Sequence, residues 1–176
     1  MPHFIHSGLA TLLVACCLPL VAHGTSNADI GSAAAESSAT PAVPDPRIGP
    51  LLKAHGTPFT IDDDGDYRIL VDLGDDRTQI VWVRSVVHET GEQRIREVWT
   101  YGYRSDERRI PATVANRLLS ENFDLILGAW ARSEGNAVLV LKIPADADAD
   151  TLNEAIDLAA SIGDRMEKQL VSGDDL

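Results

Sequence analysis

The residues best spaced to do chemistry are three aspartates at alternate positions, Asp146, Asp148 and Asp150. Counted from Asp146 as position one, Asp148 and Asp150 fall at three and five, Glu154 at nine and Asp157 at twelve. Ca²⁺ takes hard oxygen ligands at such alternating positions. Position six, however, is Thr151 and not glycine, so the sharp turn of such a loop is missing. Thr151 and Glu154 read instead as a capping box opening a helix, where acidic side chains complement the helix dipole without a metal. No metal or cofactor is expected, and calcium binding at Asp146–Asp150 is the alternative that calorimetric titration tests. A second acidic run, Asp62 to Asp66, fails the template because Thr60 occupies position one when Gly65 is placed at six. It reads as a solvated hairpin turn, with Gly65 free to take positive φ.

Nothing in the chain assembles a nucleophile set. Outside the first 24 residues the histidines are His55, at a helix end, and His88, beside Glu89 near a strand end. Isolated histidines at such places are more often surface or structural than catalytic, and no GxSxG cue supports a hydrolase. No catalytic residue is therefore assigned and the chain is read as a non-enzyme, with a hydrolase of unknown substrate as the lesser alternative. The best interaction candidate is the row Trp99, Tyr101 and Tyr103, because aromatics dominate interface hot spots. The competing reading turns this row inward as core, as strand aromatics usually pack; Trp82 and Trp130 are expected in the core.

The elements that must position these residues follow from hydrophobic period. Ile48 to His55 predicts a short helix stopped by Gly56 and Pro58. Period two then predicts strands at Phe59 and Ile61, at Tyr67 to Leu73, at Gln79 to Val87 and at Arg94 to Arg104. Gln79 to Val87 is apolar on both faces and belongs in the middle of the sheet. If Arg94 to Arg104 were an edge, its arginines would discourage stray pairing. A helix begins at Pro111 and ends at Asn122. The hairpin Leu125 to Ile143 comes next, turning at Ser133–Asn136, and the remainder is expected to gather around it. A long amphipathic helix carries Leu152, Ala155, Ile156, Ala159, Ile162, Met166 and Leu170 on one face, with Gly163 allowing close approach to the sheet. The order is α-β-β-β-β-α-β-β-α, an α+β fold with an antiparallel sheet of about five to six strands and helices packed on it.

Met1 to Gly24 carries an apolar run, Leu9 to Ala22, too short for a stable membrane span, and small residues flank His23. A signal peptide cleaved after Gly24 and export to the bacterial periplasm or beyond are expected. Leu13-Val14-Ala15-Cys16 resembles a lipobox, so lipidation of Cys16 and an anchor in the cell envelope form the alternative. Without it, Cys16 and Cys17 leave with the leader and the mature chain has no thiol chemistry. Residues 25–46, rich in Ala, Ser, Thr and Pro, read as a disordered spacer. The folded domain is expected over 47–171, with a flexible tail at 172–176. Net charge is −12, all of it beyond the leader. Such a chain would be repelled by nucleic acid and by anionic membranes, so neither is an expected partner.

The segments TPFTIDDDGDYRILVDL, LLSENFDLILGAWA and AVLVLKIPAD, followed by the long helix, resemble the YbjN-like family, whose fold is similar to type III secretion chaperones. The likeness covers about Arg47 to Leu170. It implies a small α+β module, often a homodimer, that regulates or holds protein segments, with no catalytic residues to carry over. The leader departs from a cytosolic secretion-chaperone role, and the strand from Arg94 to Arg104 is longer than a minimal chaperone core needs. Fold likeness by itself does not fix function.

Overall fold

The structure is a computed structural model that describes residues 43–170. The leader with Cys16 and the cleavage site after Gly24, the spacer as far as residue 42, and the tail lie outside the described residues. The element order is the expected one: α1 (Ile48–His55), β1 (Thr60–Ile61), β2 (Tyr67–Gly74), β3 (Arg77–Thr90), β4 (Gln93–Tyr103), α2 (Ala112–Asn122), β5 (Gly128–Ser133), β6 (Asn136–Pro144) and α3 (Ala149–Leu170).

Six antiparallel strands form one open sheet in the order β1-β2-β3-β4-β6-β5. Local turn chemistry sets the hairpins. Asp75 and Asp76 both sit at positive φ, 53° and 58°, between β2 and β3. That geometry matches the right-handed twist of the flanking strands, and aspartate tolerates it better than most residues. β3 and β4 occupy the middle of the sheet. The β5–β6 hairpin is therefore not the centre of the fold: β5 is a sheet edge, and β4 is an interior strand paired on both sides.

The alternation along each strand divides the sheet into two unlike faces. Ile69, Val81, Val83, Val98, Leu139 and Leu141 form the buried face with α1 and α3. α3 supplies Leu152, Ala155, Ile156, Ala159, Ala160, Ile162 and Met166, a stripe at helical spacing. A Cβ on Gly163 would lie 2.8 Å from Thr100 Cγ2 and 2.9 Å from Gln79 Nε2. The missing side chain is what lets the helix come this close to β3 and β4. Beneath it Gln79 Nε2 donates to Thr100 Oγ1 at 2.7 Å and to Tyr101 O at 2.8 Å, while its Oε1 is buried without a partner. At the far end of α3, Arg77 pairs with Asp164 and Glu167, and Lys168 with Asp164.

Several boundaries differ from the sequence reading: β3 runs from Arg77 to Thr90, α2 starts at Ala112 and β5 starts only at Gly128. α3 begins at Ala149, because Asp148 Oδ1 accepts the Thr151 N–H at 2.9 Å. Asp148, not the Thr151–Glu154 pair, is thus the residue that caps the helix. Asp45, placed by composition in the spacer, is bound into the domain. Its carboxylate reaches Arg96 at 2.6 Å and Arg47 at 2.6 Å. Its main chain joins in as well: the N–H donates to Ser85 Oγ and the carbonyl accepts from Tyr67 Oη. The Arg47 guanidinium, against burial and with help from Arg96, holds the Asp45 carboxyl well below the usual carboxylate range.

Candidate interaction face

α1 and α3 cover one face of the sheet and leave the other open. Register places a continuous row across five strands on that open face. Arg68 of β2 lies opposite Trp82 of β3, Trp82 opposite Trp99 of β4, Trp99 opposite Val140 of β6, and Val140 opposite Ala129 of β5. Beside this row, Leu70 faces Ile80, and Tyr101 faces Val138, which faces Ala131.

The aromatics are held in place. Trp82 meets Tyr101 edge-on with ring centroids 5.3 Å apart. Trp99 Nε1 donates to Glu97 Oε2 at 2.9 Å. The Arg84 guanidinium lies 4.5 Å over the Trp99 ring and pairs with Asp66 at 2.8 Å. Asp66 in turn accepts the Ser85 N–H at 2.7 Å. Burial pushes the Asp66 carboxyl up; the Ser85 N–H and Arg84 oppose that shift. Arg104 lies 4.6 Å over Tyr101. These cation–π and hydrogen-bonded contacts fix ring orientation before any partner arrives.

The predicted aromatic row is divided by a bulge. Pairing shifts between Tyr101 and Tyr103, where one extra β4 residue faces β6. A Cβ on Gly102 would overlap the Trp130 ring on the helix-covered face. Tyr103 pairs with buried Ala137 and packs against the core cluster. Trp99 and Tyr101 therefore stay on the open face while Tyr103 turns to the other. Trp130 is core, as expected, at 6% exposure. Trp82 is not: it is half-buried on the open face. β3 is apolar on both sides, so its pattern alone could not assign Trp82 to a face.

Near the β5 edge the open face deepens into a groove of about 700 Å³ floored by Trp99, Val138, Val140, Ala129 and Ala131. Ile126 and Leu127 border it, and Ile126 is 94% exposed. Phe123, between α2 and β5, is 93% exposed. Sequence reasoning missed these residues, although Phe123, Ile126 and Leu127 stand together just where the α2 pattern breaks. Beside the groove, the Asn122 side-chain amide bonds both main-chain groups of Trp130: Oδ1 accepts its N–H at 2.6 Å and Nδ2 donates to its carbonyl at 3.2 Å. Asn122 so occupies outward-facing groups that an incoming strand would need.

The other candidates are scattered. Asp148 is committed to the α3 cap, and Thr151 holds its carboxyl below the usual value. Asp150 lies 3.2 Å from His55 Nε2. Among the described residues, no three His, Cys, Asp or Glu side chains gather as a metal site would require. His88 lies 3.8 Å from Glu97 on the exposed end of the sheet. Asp62 Oδ1 accepts the N–H groups of Asp64 and Asp66 and closes the β1–β2 turn. Among the described residues, no helix is long and apolar enough to cross a membrane.

No family model matches the chain, and no curated protein matches it. Neither comparison identifies the YbjN-like family.

Proposed function

We propose that this chain is a non-enzymatic, protein-binding module that holds or regulates a partner through the open face of its sheet. The observation that carries this reading is the row Trp82–Trp99–Val140, apolar, ordered by cation–π contacts, and left uncovered by all three helices. Apolar surface of this kind is stabilised when a partner removes it from water. The YbjN-like resemblance points the same way. In this reading the module is exported, to the periplasm or beyond. A lipid on Cys16 would instead hold it at the cell envelope, and the mass of the mature N-terminus separates the two, since a chain starting at Thr25 carries no lipid. A second copy of the chain is the alternative partner, to be read by light scattering.

The test is comparative capture from envelope extracts. The wild-type chain and the variant Trp99→Ala/Tyr101→Ala are used side by side. A partner retained by the first and lost by the second supports the reading. Partners retained equally by both would show that the open face is not the working surface.

A further inference from the structure

The exposed apolar side chains gather at one end of the sheet. Four of the nine large apolar residues left exposed among the described residues fall within 119–127: Leu119, Phe123, Ile126 and Leu127. Leu119 and Phe123 stand four residues apart, one helical turn, where α2 ends. Ile126 and Leu127 follow in the loop to β5 and border the groove of about 700 Å³. The groove is hollow because β5 is built there from small residues. Ala129 and Ala131 give its floor little height. Gly128 holds β5 close to β6, since a Cβ on it would lie 2.5 Å from Leu141 Cδ2 and 2.6 Å from the Val140 carbonyl oxygen. A projecting knob, Ile126, and a hollow of small residues therefore stand side by side on one patch.

Resting on the contact role proposed above, we infer that a second copy of this chain occupies the groove, each copy seating its Ile126 over the partner's Ala129 and Ala131. Two-fold symmetry sets the same patch on both sides of a contact, so the patch must supply knob and hollow together, as this one does. The area suffices. The four exposed side chains present on the order of 600 Å², taking about 200 Å² for a large apolar side chain, and the groove floor adds to it. A stable contact buries about 800 Å² on each partner, and a lone monomer seldom shows a patch above about 600 Å². Charge permits the contact as well. Each chain carries −12, so two copies meet only where acid is sparse. From Asn122 to Ala131 the one charged residue is Asp124, and at the groove Lys142 stands opposite Glu97. Extension of the sheet by a second β5 is blocked, because Asn122 holds both main-chain groups of Trp130. The copies therefore join by side chains. The Trp82 end of the row, toward β2, stays open for a further partner.

The experiment is sedimentation equilibrium of the full chain across a concentration series, for wild type, Ile126→Ser and Ala129→Phe. Both positions are exposed, and circular dichroism checks that the fold is unchanged. Wild type is expected to dimerise. Each variant should raise the dimer Kd about a hundredfold, since every dimer loses two contacts worth about tenfold each. The two variants mixed should pair with one another. The chain without the knob offers an intact hollow to the chain that keeps its knob, and its small serine faces the filled hollow. Recovery of that mixed dimer supports the reciprocal seating. A wild type that stays monomeric overturns the proposal. So does a dimer that is as tight in both variants as in wild type. A monomeric wild type whose captured extract protein is lost in Ile126→Ser assigns the groove to another protein, and overturns the second copy. None of these results decides capture with Trp99→Ala/Tyr101→Ala, which tests the contact role separately.

Discussion

Replacing Asp45 by alanine tests how the start of the domain is fastened. Arg96 is the group at stake: its side chain is 4% exposed, and Asp45 is the carboxylate it meets. Without Asp45, Arg96 keeps only the Arg84 carbonyl at 2.6 Å and the Ser85 carbonyl at 3.4 Å. Arg47 also loses its partner, but it is 46% exposed and water replaces the carboxylate at little cost. The Arg96 effect therefore dominates. Breaking one side of a buried pair costs about 3–5 kcal/mol. The lower end applies here, because two carbonyls remain and the Asp45 main-chain bonds to Ser85 and Tyr67 survive. A loss of about 3 kcal/mol lowers Tm by about 10 °C in a domain of this size. The assay is urea unfolding followed by tryptophan fluorescence, with calorimetry for Tm. The double variant Asp45→Ala/Arg96→Met should recover most of the loss, since it removes the stranded charge. A single-variant loss below about 1 kcal/mol would refute the reasoning. So would a double variant less stable than the single.

Three other outcomes follow from the same geometry. The carboxyls of Asp45, Asp148 and Asp164 are all held below their usual values. Arg47 is the main cause for Asp45 and Thr151 for Asp148; for Asp164, burial pushes upward but Lys168 and Arg77 outweigh it. Groups lowered in the folded state lend stability that is present above about pH 4 and lost as pH falls below it. The urea midpoint should therefore drop between pH 6 and pH 3, and drop less in Asp45→Asn; a midpoint that rises contradicts this. Gly102→Ala should destabilise by about 1–3 kcal/mol, because its new methyl overlaps the buried Trp130 ring and forces both to shift. An unchanged near-UV circular dichroism spectrum would contradict that. Asn122→Ala should cost about 1–3 kcal/mol by stranding the Trp130 main chain, and should speed exchange of the Trp130 amide; unaltered protection would count against the edge-capping role.

The strands, the turns and the stripe on α3 were legible because each is written in local period and turn chemistry. α1 and the helix–sheet contact at Gly163 could be read for the same reason: one glycine in a regular apolar stripe has few other uses. What escaped depends on contacts distant in sequence or on single-residue slips. The Asp45–Arg96 pair spans 51 positions, and no local pattern announces it. The bulge at Gly102 moves Tyr103 to the other face, although alternation from Trp99 and Tyr101 predicts a shared one. Trp82 was misplaced because β3 is apolar on both sides. The open face itself was hidden for that reason too: Val140 looks like a core residue until the helices are seen to cover its neighbours Leu139 and Leu141 instead. The β5–β6 hairpin was easy to recognise, but its place at the sheet end follows from β4 pairing with β6, a long-range choice.

The chain carries three tryptophans, and they report on the central claim directly: Trp82 and Trp99 lie on the open face, while Trp130 is buried on the other. Their indole N–H signals can be followed by proton–nitrogen correlation spectra as a captured partner is added. The account predicts that the Trp82 and Trp99 signals move in step with saturation while Trp130 stays in place. A saturated complex in which both open-face indoles remain unshifted would contradict it.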